Sequence, residues 1–144
     1  MKRKLLWIED ETESGMVERK TLLELSDEFE LNIARNASDA EVNIISDHFD
    51  IYLFDIRLPP GDKEVWESIY YKVGEKLGLI LLEKYFSEIK AKNGKIGICT
   101  IERWLDIEKK IMAIDKEFDC ITNFKHKPDI EFPDQFETFL LNLK

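Results

Sequence analysis

Leu5-Leu6-Trp7-Ile8 is an unbroken apolar run that stops at Glu9-Asp10-Glu11, and Ile51-Tyr52-Leu53-Phe54 repeats the arrangement and stops at Asp55. Short continuous apolar runs of this kind predict strands buried on both faces of a parallel sheet, here with a polar group at each carboxyl end. Between the two runs the period changes. Over 13–25, Met16, Lys20 and Leu23 share one helical face, widened by Val17 and Leu22. A weakly alternating stretch at 30–34 gives a second strand, and Ser38-Asp39-Ala40-Glu41 has capping-box spacing ahead of Val42, Ile44 and Ile45. After Asp55 the cluster Pro59-Pro60-Gly61 breaks the chain.

The second half continues the alternation. Residues 62–76, with Trp66, Tyr70 and Tyr71 among charges, stand as an insertion between the third strand and the helix expected at 77–89, either a lid-like element or a helical extension. Its aromatics either pack on the neighbouring helix, or cap the site at the end of the third strand or dock a partner, and plain packing is favoured. A fourth strand falls at 95–100, and Trp104, Ile107, Ile111 and Ile114 mark one face of the next helix. The fifth strand is expected at 118–124. Pro133 suits the first turn of a last helix striped by Phe136, Phe139, Leu140 and Leu143. Five strands alternating with five helices predict a three-layer α/β fold around a mainly parallel sheet.

Composition narrows this further. A chain of 144 residues with 44% apolar content suits one domain over 1–144 and leaves no room for a second effector domain. Its 21 basic and 30 acidic residues give a net charge of −9, which repels a phosphate backbone and argues against direct nucleic-acid binding. Cys99 and Cys120 sit in apolar, strand-like settings without metal-ligand spacing and are expected to be buried reduced thiols. Met1-Lys2-Arg3-Lys4 could open a signal peptide, but the apolar run behind it ends at Ile8. No membrane span is expected, and the cytosol is the expected compartment.

Functional groups of an open parallel sheet gather outside the carboxyl ends of its strands. With the first and third strands adjacent, Glu9, Asp10 and Asp55 meet in one crevice, where three carboxylates repel one another unless a cation or protons compensate. Hard oxygen ligands open to solvent suit Mg2+, which keeps waters that a phosphate can displace. The ordinary alternative is a pair of solvated strand ends, and two apolar strands ending alike weigh against it.

Four stretches together are similar to the response-regulator receiver family of two-component signalling. They are Leu6-Trp7-Ile8-Glu9-Asp10-Glu11, the run from Phe49 through Asp55-Ile56-Arg57-Leu58-Pro59, Ile96-Gly97-Ile98-Cys99-Thr100, and Lys127-Pro128. The resemblance spans nearly the whole chain and implies a flavodoxin-like doubly wound sheet of order 2-1-3-4-5. It implies that Asp55 is a phosphoacceptor, taking a phosphoryl group from the phosphohistidine of a sensor histidine kinase or histidine phosphotransfer protein. Asp10, Asp55 and the main-chain carbonyl of Arg57 would bind Mg2+, Glu9 would hold a metal-bound water, and Thr100 would bond a phosphoryl oxygen. The lysine at the phosphate would be Lys127, on the strength of its proline, with Lys125 as the second choice.

Some positions depart from the family pattern. Ile101 stands where a small residue is usual and would narrow the mouth of the site, and Cys120 and Ile121 fall where a switch aromatic is common, although Phe118 and Phe124 lie close by. His126 reads as plain surface. The resemblance further implies no turnover beyond the protein's own phosphorylation and dephosphorylation. Output would run to a downstream protein target through 102–116 and 118–144, where a phosphorylation-dependent homodimer could form. The alternative function is a phosphorylation-independent adaptor, a pseudo-receiver with the same fold.

Overall fold

A computed structural model of the protein describes residues 1–13 and 15–144. Among them, five parallel strands form one sheet: β1 (Arg3–Ile8), β2 (Phe29–Ala34), β3 (Ile51–Phe54), β4 (Lys95–Thr100) and β5 (Phe124–His126), in the order β2-β1-β3-β4-β5. Seven α-helices accompany it: α1 (Val17–Leu25), α2 (Ala37–Ser46), α3 (Glu64–Val73), α4 (Leu77–Ala91), α5 (Trp104–Ile114), α6 (Cys120–Asn123) and α7 (Pro133–Leu141). The doubly wound α/β architecture and strand order match the expectation, with α3 and α6 added to the five helices foreseen. Ser14, within the helix expected at 13–25, lies outside the described residues.

The unbroken apolar runs divide their side chains between two cores, because successive strand residues point to opposite faces. Leu6, Ile8, Tyr52, Phe54, Ile96 and Ile98 meet one helical layer, joined by Ala40 and Ile44 of α2, Trp66 of α3, Leu81 and Leu82 of α4, and Ile107 and Ile111 of α5. Leu5, Trp7, Ile51, Leu53 and Cys99 point the other way, onto Leu23 of α1 and Phe136, Phe139 and Leu140 of α7. In register, Ile8 lies beside Phe54 and Phe54 beside Ile98, so the chain leaves β1, β3 and β4 at one end of the sheet.

Three local expectations are corrected. The fifth strand is not at 118–124. Asp119 caps a helical turn there, its Oδ1 accepting from the Ile121 and Thr122 amides at 3.1 Å each, and the strand follows at Phe124–His126. A local side-chain cap outcompetes an ambiguous apolar pattern, and it puts Cys120 in a helix instead of a strand. The second helix begins at Ala37, capped by Asn36, whose Oδ1 accepts from the Asp39 amide at 2.8 Å. Ser38 does not cap. Its hydroxyl donates to the Pro60 carbonyl at 2.6 Å and accepts from the Lys63 amide at 3.0 Å, stitching the start of α2 to the loop after β3. Gly61 completes the stitch with φ +80°, where a Cβ would lie 2.3 Å from the Asn36 side-chain oxygen.

The 62–76 segment contains α3 and a short return strap. Trp66 is buried, and its indole N–H donates to Glu41 Oε1 at 3.1 Å; Glu41 Oε2 takes the Tyr85 hydroxyl at 2.6 Å and the Lys84 ammonium at 2.8 Å. Burial would raise the Glu41 carboxyl, but the hydrogen bonds from Lys84, Tyr85 and Trp66 outweigh it and hold it below its ordinary value. The expected packing of the aromatics thus holds for Trp66, whereas Tyr71 is exposed. At the other end of the segment, the Leu58 amide donates to the Glu75 carbonyl at 3.1 Å and the Gly78 amide to the Ile56 carbonyl at 3.0 Å. A Cβ on Gly78 would lie 1.7 Å from the Asp55 carbonyl oxygen, so α4 starts in contact with the backbone of the strand end.

Candidate functional site

Each candidate acid owes its position to the end of a buried strand. Glu9 follows β1 and is fully buried, its amide donating to the Ala34 carbonyl at 2.9 Å; Asp55 follows β3 and is buried, its amide donating to the Ile8 carbonyl at 3.1 Å. Asp10 is exposed beside them. Each of the three offers a carboxylate oxygen, and these oxygens all lie within 4.8 Å of one another.

Lys127 closes the group. Because β5 ends at His126, Lys127 is the first residue beyond the strand and enters a 3-10 turn with Pro128, and its side chain is buried. Its Nζ lies 2.8 Å from Asp55 Oδ2 and 2.5 Å from Glu9 Oε1. Burial works against the ammonium charge, but Asp55 and Glu9 together outweigh it and push the Lys127 pKa up. Glu9 is pushed up as well, first by burial and then by the charge of Asp55, with Lys127 opposing. One ammonium therefore faces three carboxylates. Asp55 Oδ1 is buried and has no hydrogen-bond partner among the described residues. A buried, unpaired carboxylate oxygen is costly, and a divalent cation shared with Glu9 and Asp10 would satisfy it. The donor set fits Mg2+.

Lys125, the second choice, stands elsewhere. It pairs with Cys99 across β4 and β5 and lines a separate hollow with Ile121, Thr122 and Asp129. Cys99 is buried and its thiol is pushed up by that burial, whereas Cys120 is half-buried; both are free. Thr100 is fully buried at the end of β4, and its hydroxyl accepts from the Glu102 amide at 3.2 Å. His126, only half-buried, has Nε2 2.9 Å from the Ile101 carbonyl.

Over Asp55 lies a cavity of about 320 Å³ that sequence reasoning foresaw only in part. Asp10, Asp55, Arg57, Ile101 and Lys127 line it, as expected, but so do Tyr70 and Glu75 of the 62–76 segment. Arg57 crosses its mouth, with Nε 2.5 Å from Glu102 Oε1 and Nη1 3.2 Å from Glu75 Oε2. No sequence signal marked Glu75 or Glu102, because their partner comes from a distant loop. Phe124, three residues before Lys127, packs edge-on against Trp104 with ring centroids 5.3 Å apart, so the aromatic near the site is Phe124 and not a residue at 120 or 121.

Solved structures share this arrangement of strands and helices along almost the whole chain. A receiver domain protein of CheY-like type from Methanospirillum hungatei superposes with a TM-score of 0.67 at 22% identity, over 96% of this chain and 90% of that one. The chain has the receiver fold. The Vibrio cholerae chemotaxis protein CheY4 gives a TM-score of 0.68 at 17% identity, each chain covered completely. A Burkholderia pseudomallei response regulator, solved with a phosphorylated aspartic acid, a calcium ion and citrate, gives 0.64 at 16% identity over 96% of this chain and 66% of that one. No family sequence model and no curated protein sequence matches the chain. The receiver fold is thus kept on a strongly divergent sequence. No helix among the described residues is long and apolar enough to cross a membrane.

Proposed function

We propose that the chain is a phosphoacceptor receiver of a two-component phosphorelay, with Asp55 taking a phosphoryl group from the phosphohistidine of a sensor kinase or histidine phosphotransfer protein. The observation that carries this reading is the charge deficit around Asp55: one oxygen held by Lys127 at 2.8 Å, the other buried and unpartnered, with Glu9 and Asp10 in reach of a shared cation. The phosphorylated aspartic acid and cation of the Burkholderia pseudomallei relative support the same chemistry here.

In this reading Asp10, Asp55 and the Arg57 carbonyl would hold Mg2+, with Glu9 holding a water bound to it. The ion supplies charge neutralisation of the transferring phosphoryl oxygens. Asp55 is the nucleophile. Lys127, already fixed by Glu9 and Asp55, keeps a positive charge beside the acceptor oxygen and steadies the anion that forms there. Thr100, with its hydroxyl oxygen occupied by the Glu102 amide, retains an O–H to donate to a phosphoryl oxygen. Signalling would pass to a protein target in the cytosol through the face of α5, β5 and α7, where Leu105 and Ile121 are exposed, and a phosphorylation-dependent homodimer would use that face.

The test is incubation with acetyl phosphate or beryllofluoride in the presence of Mg2+. The expected result is gain of one phosphoryl group in intact mass, abolished by Asp55→Asn, and a change in tryptophan fluorescence with either reagent. A protein whose mass and fluorescence ignore both reagents, and which phosphoimidazole does not phosphorylate either, is an adaptor with a receiver fold, not a phosphoacceptor.

A further inference from the structure

The 62–76 segment contributes to the site itself. Tyr70 and Glu75 line the cavity that contains Asp55 and Lys127, and both are fixed in place. Trp66, one helical turn before Tyr70, is buried and hydrogen-bonded to Glu41, while the Glu75 carbonyl is tied to the Leu58 amide three residues after Asp55. This is a rigid wall, since closing or opening it would break a buried anchor at one end and a backbone bond at the other.

The charge on that wall is unusual for a site that must admit a phosphate. The only guanidinium lining the cavity, Arg57, is held by Glu102 on one side and Glu75 on the other, at 2.5 and 3.2 Å. Arginine is the usual bidentate partner of phosphate oxygens, and here two of its donor nitrogens, Nε and Nη1, are taken up by carboxylates. Lys127 is likewise engaged by Glu9 and Asp55. Asp10 and Glu75 add carboxylates to the lining, so the cavity carries more negative than positive groups. A dianionic small donor meets net repulsion, since among the described residues both cations that line the cavity, Arg57 and Lys127, are already paired with carboxylates. A donor whose leaving group is a protonated imidazole meets attraction from the same carboxylates and an aromatic ring at Tyr70 that suits a cation.

Resting on the receiver reading above, we propose that Tyr70 and Glu75 are specificity-determining residues that bias phosphoryl transfer to Asp55 toward imidazolium-type leaving groups and against small acyl phosphates. In the favoured transfer the P–N bond breaks as the P–O bond to Asp55 forms. The bonding pair goes to the imidazole nitrogen, and the ring, protonated on its other nitrogen, departs neutral. No further reactant is needed.

The experiment compares rate constants for acetyl phosphate and phosphoimidazole with Mg2+, read by intact mass, in the wild type, Glu75→Gln, Tyr70→Leu and Glu28→Gln. Glu28 is exposed at the opposite end of the sheet, beside the start of β1, so it changes net charge without touching the site. Removing one exposed charge within about 8 Å of a dianion should raise the acetyl phosphate rate about threefold or more at low salt, shrinking toward unity as salt screens it. The ratio of acetyl phosphate to phosphoimidazole rates should rise in Glu75→Gln and stay at the wild-type value in Glu28→Gln. Tyr70→Leu should slow phosphoimidazole while sparing acetyl phosphate. An unchanged ratio in Glu75→Gln, or an equal shift in Glu28→Gln, overturns the inference while leaving the receiver reading intact. A wild type phosphorylated by neither donor overturns both.

Discussion

Two buried carboxylate clusters lie on this fold, and they are built on opposite principles. Around Glu41, one carboxylate receives three donors, from Trp66, Lys84 and Tyr85, and nothing polar is left over. Around Asp55, three carboxylates crowd beside one ammonium that pairs with two of them, Glu9 and Asp55, and an oxygen of Asp55 has no hydrogen-bond partner among the described residues. The first cluster is complete as it stands and holds α3 against α2 and α4. The second is short of positive charge, as a site that takes up a cation would be. Saturation marks the structural cluster, deficit the chemical one.

Lys127→Met should give the largest effect. It leaves Glu9 and Asp55 buried without their cation, a loss of about 3–5 kcal/mol in denaturant unfolding without divalent ions. Added Mg2+ should recover part of that loss. Glu41→Gln should cost about 1–3 kcal/mol, and Mg2+ should leave that cost unchanged. Full recovery of Glu41→Gln by Mg2+ would erase the distinction between the clusters.

Acidification sharpens the same contrast. The Glu41 carboxyl is held below its ordinary value, so the folded state binds that proton less readily than the unfolded chain. Its contribution is therefore fully present above the ordinary glutamate range, about 4.3, and is lost as pH falls through the folded value. The stability gap between wild type and Glu41→Gln should be constant above about pH 5 and close below it, as followed by urea unfolding across a pH series. The smallest effect belongs to Asp55→Asn, which removes one of the crowded charges and should stabilise the metal-free protein by about 1 kcal/mol. It should also abolish most of the stabilisation by Mg2+.

The two clusters differ too in how far the chain announced them. Glu9, Asp10 and Asp55 were legible because each ends a run whose apolar residues fill both faces of the sheet, a pattern written in consecutive residues. Lys127 was legible only through Pro128. Its alternative, Lys125, is placed beside Cys99 by the register of a three-residue strand displaced by the Asp119 cap, which no periodicity revealed. Glu41 gave a misleading signal. It stood at the end of an apparent capping box, and its partners lie 25, 43 and 44 residues away. The ion pairs of Arg57 with Glu75 and Glu102 were hidden for the same reason, since long-range polar pairing leaves no local period.

Gly78 gives Asp55 a fixed mounting. With α4 pressed against its carbonyl oxygen, the strand end has no room to recoil on that side. A group added to the Asp55 carboxylate would have to be accommodated away from α4, in the cavity lined by Arg57, Ile101 and Lys127. Glycine at this one position thus gives the fold a direction, an anvil on the α4 side and a single flank through which a load on Asp55 can be felt.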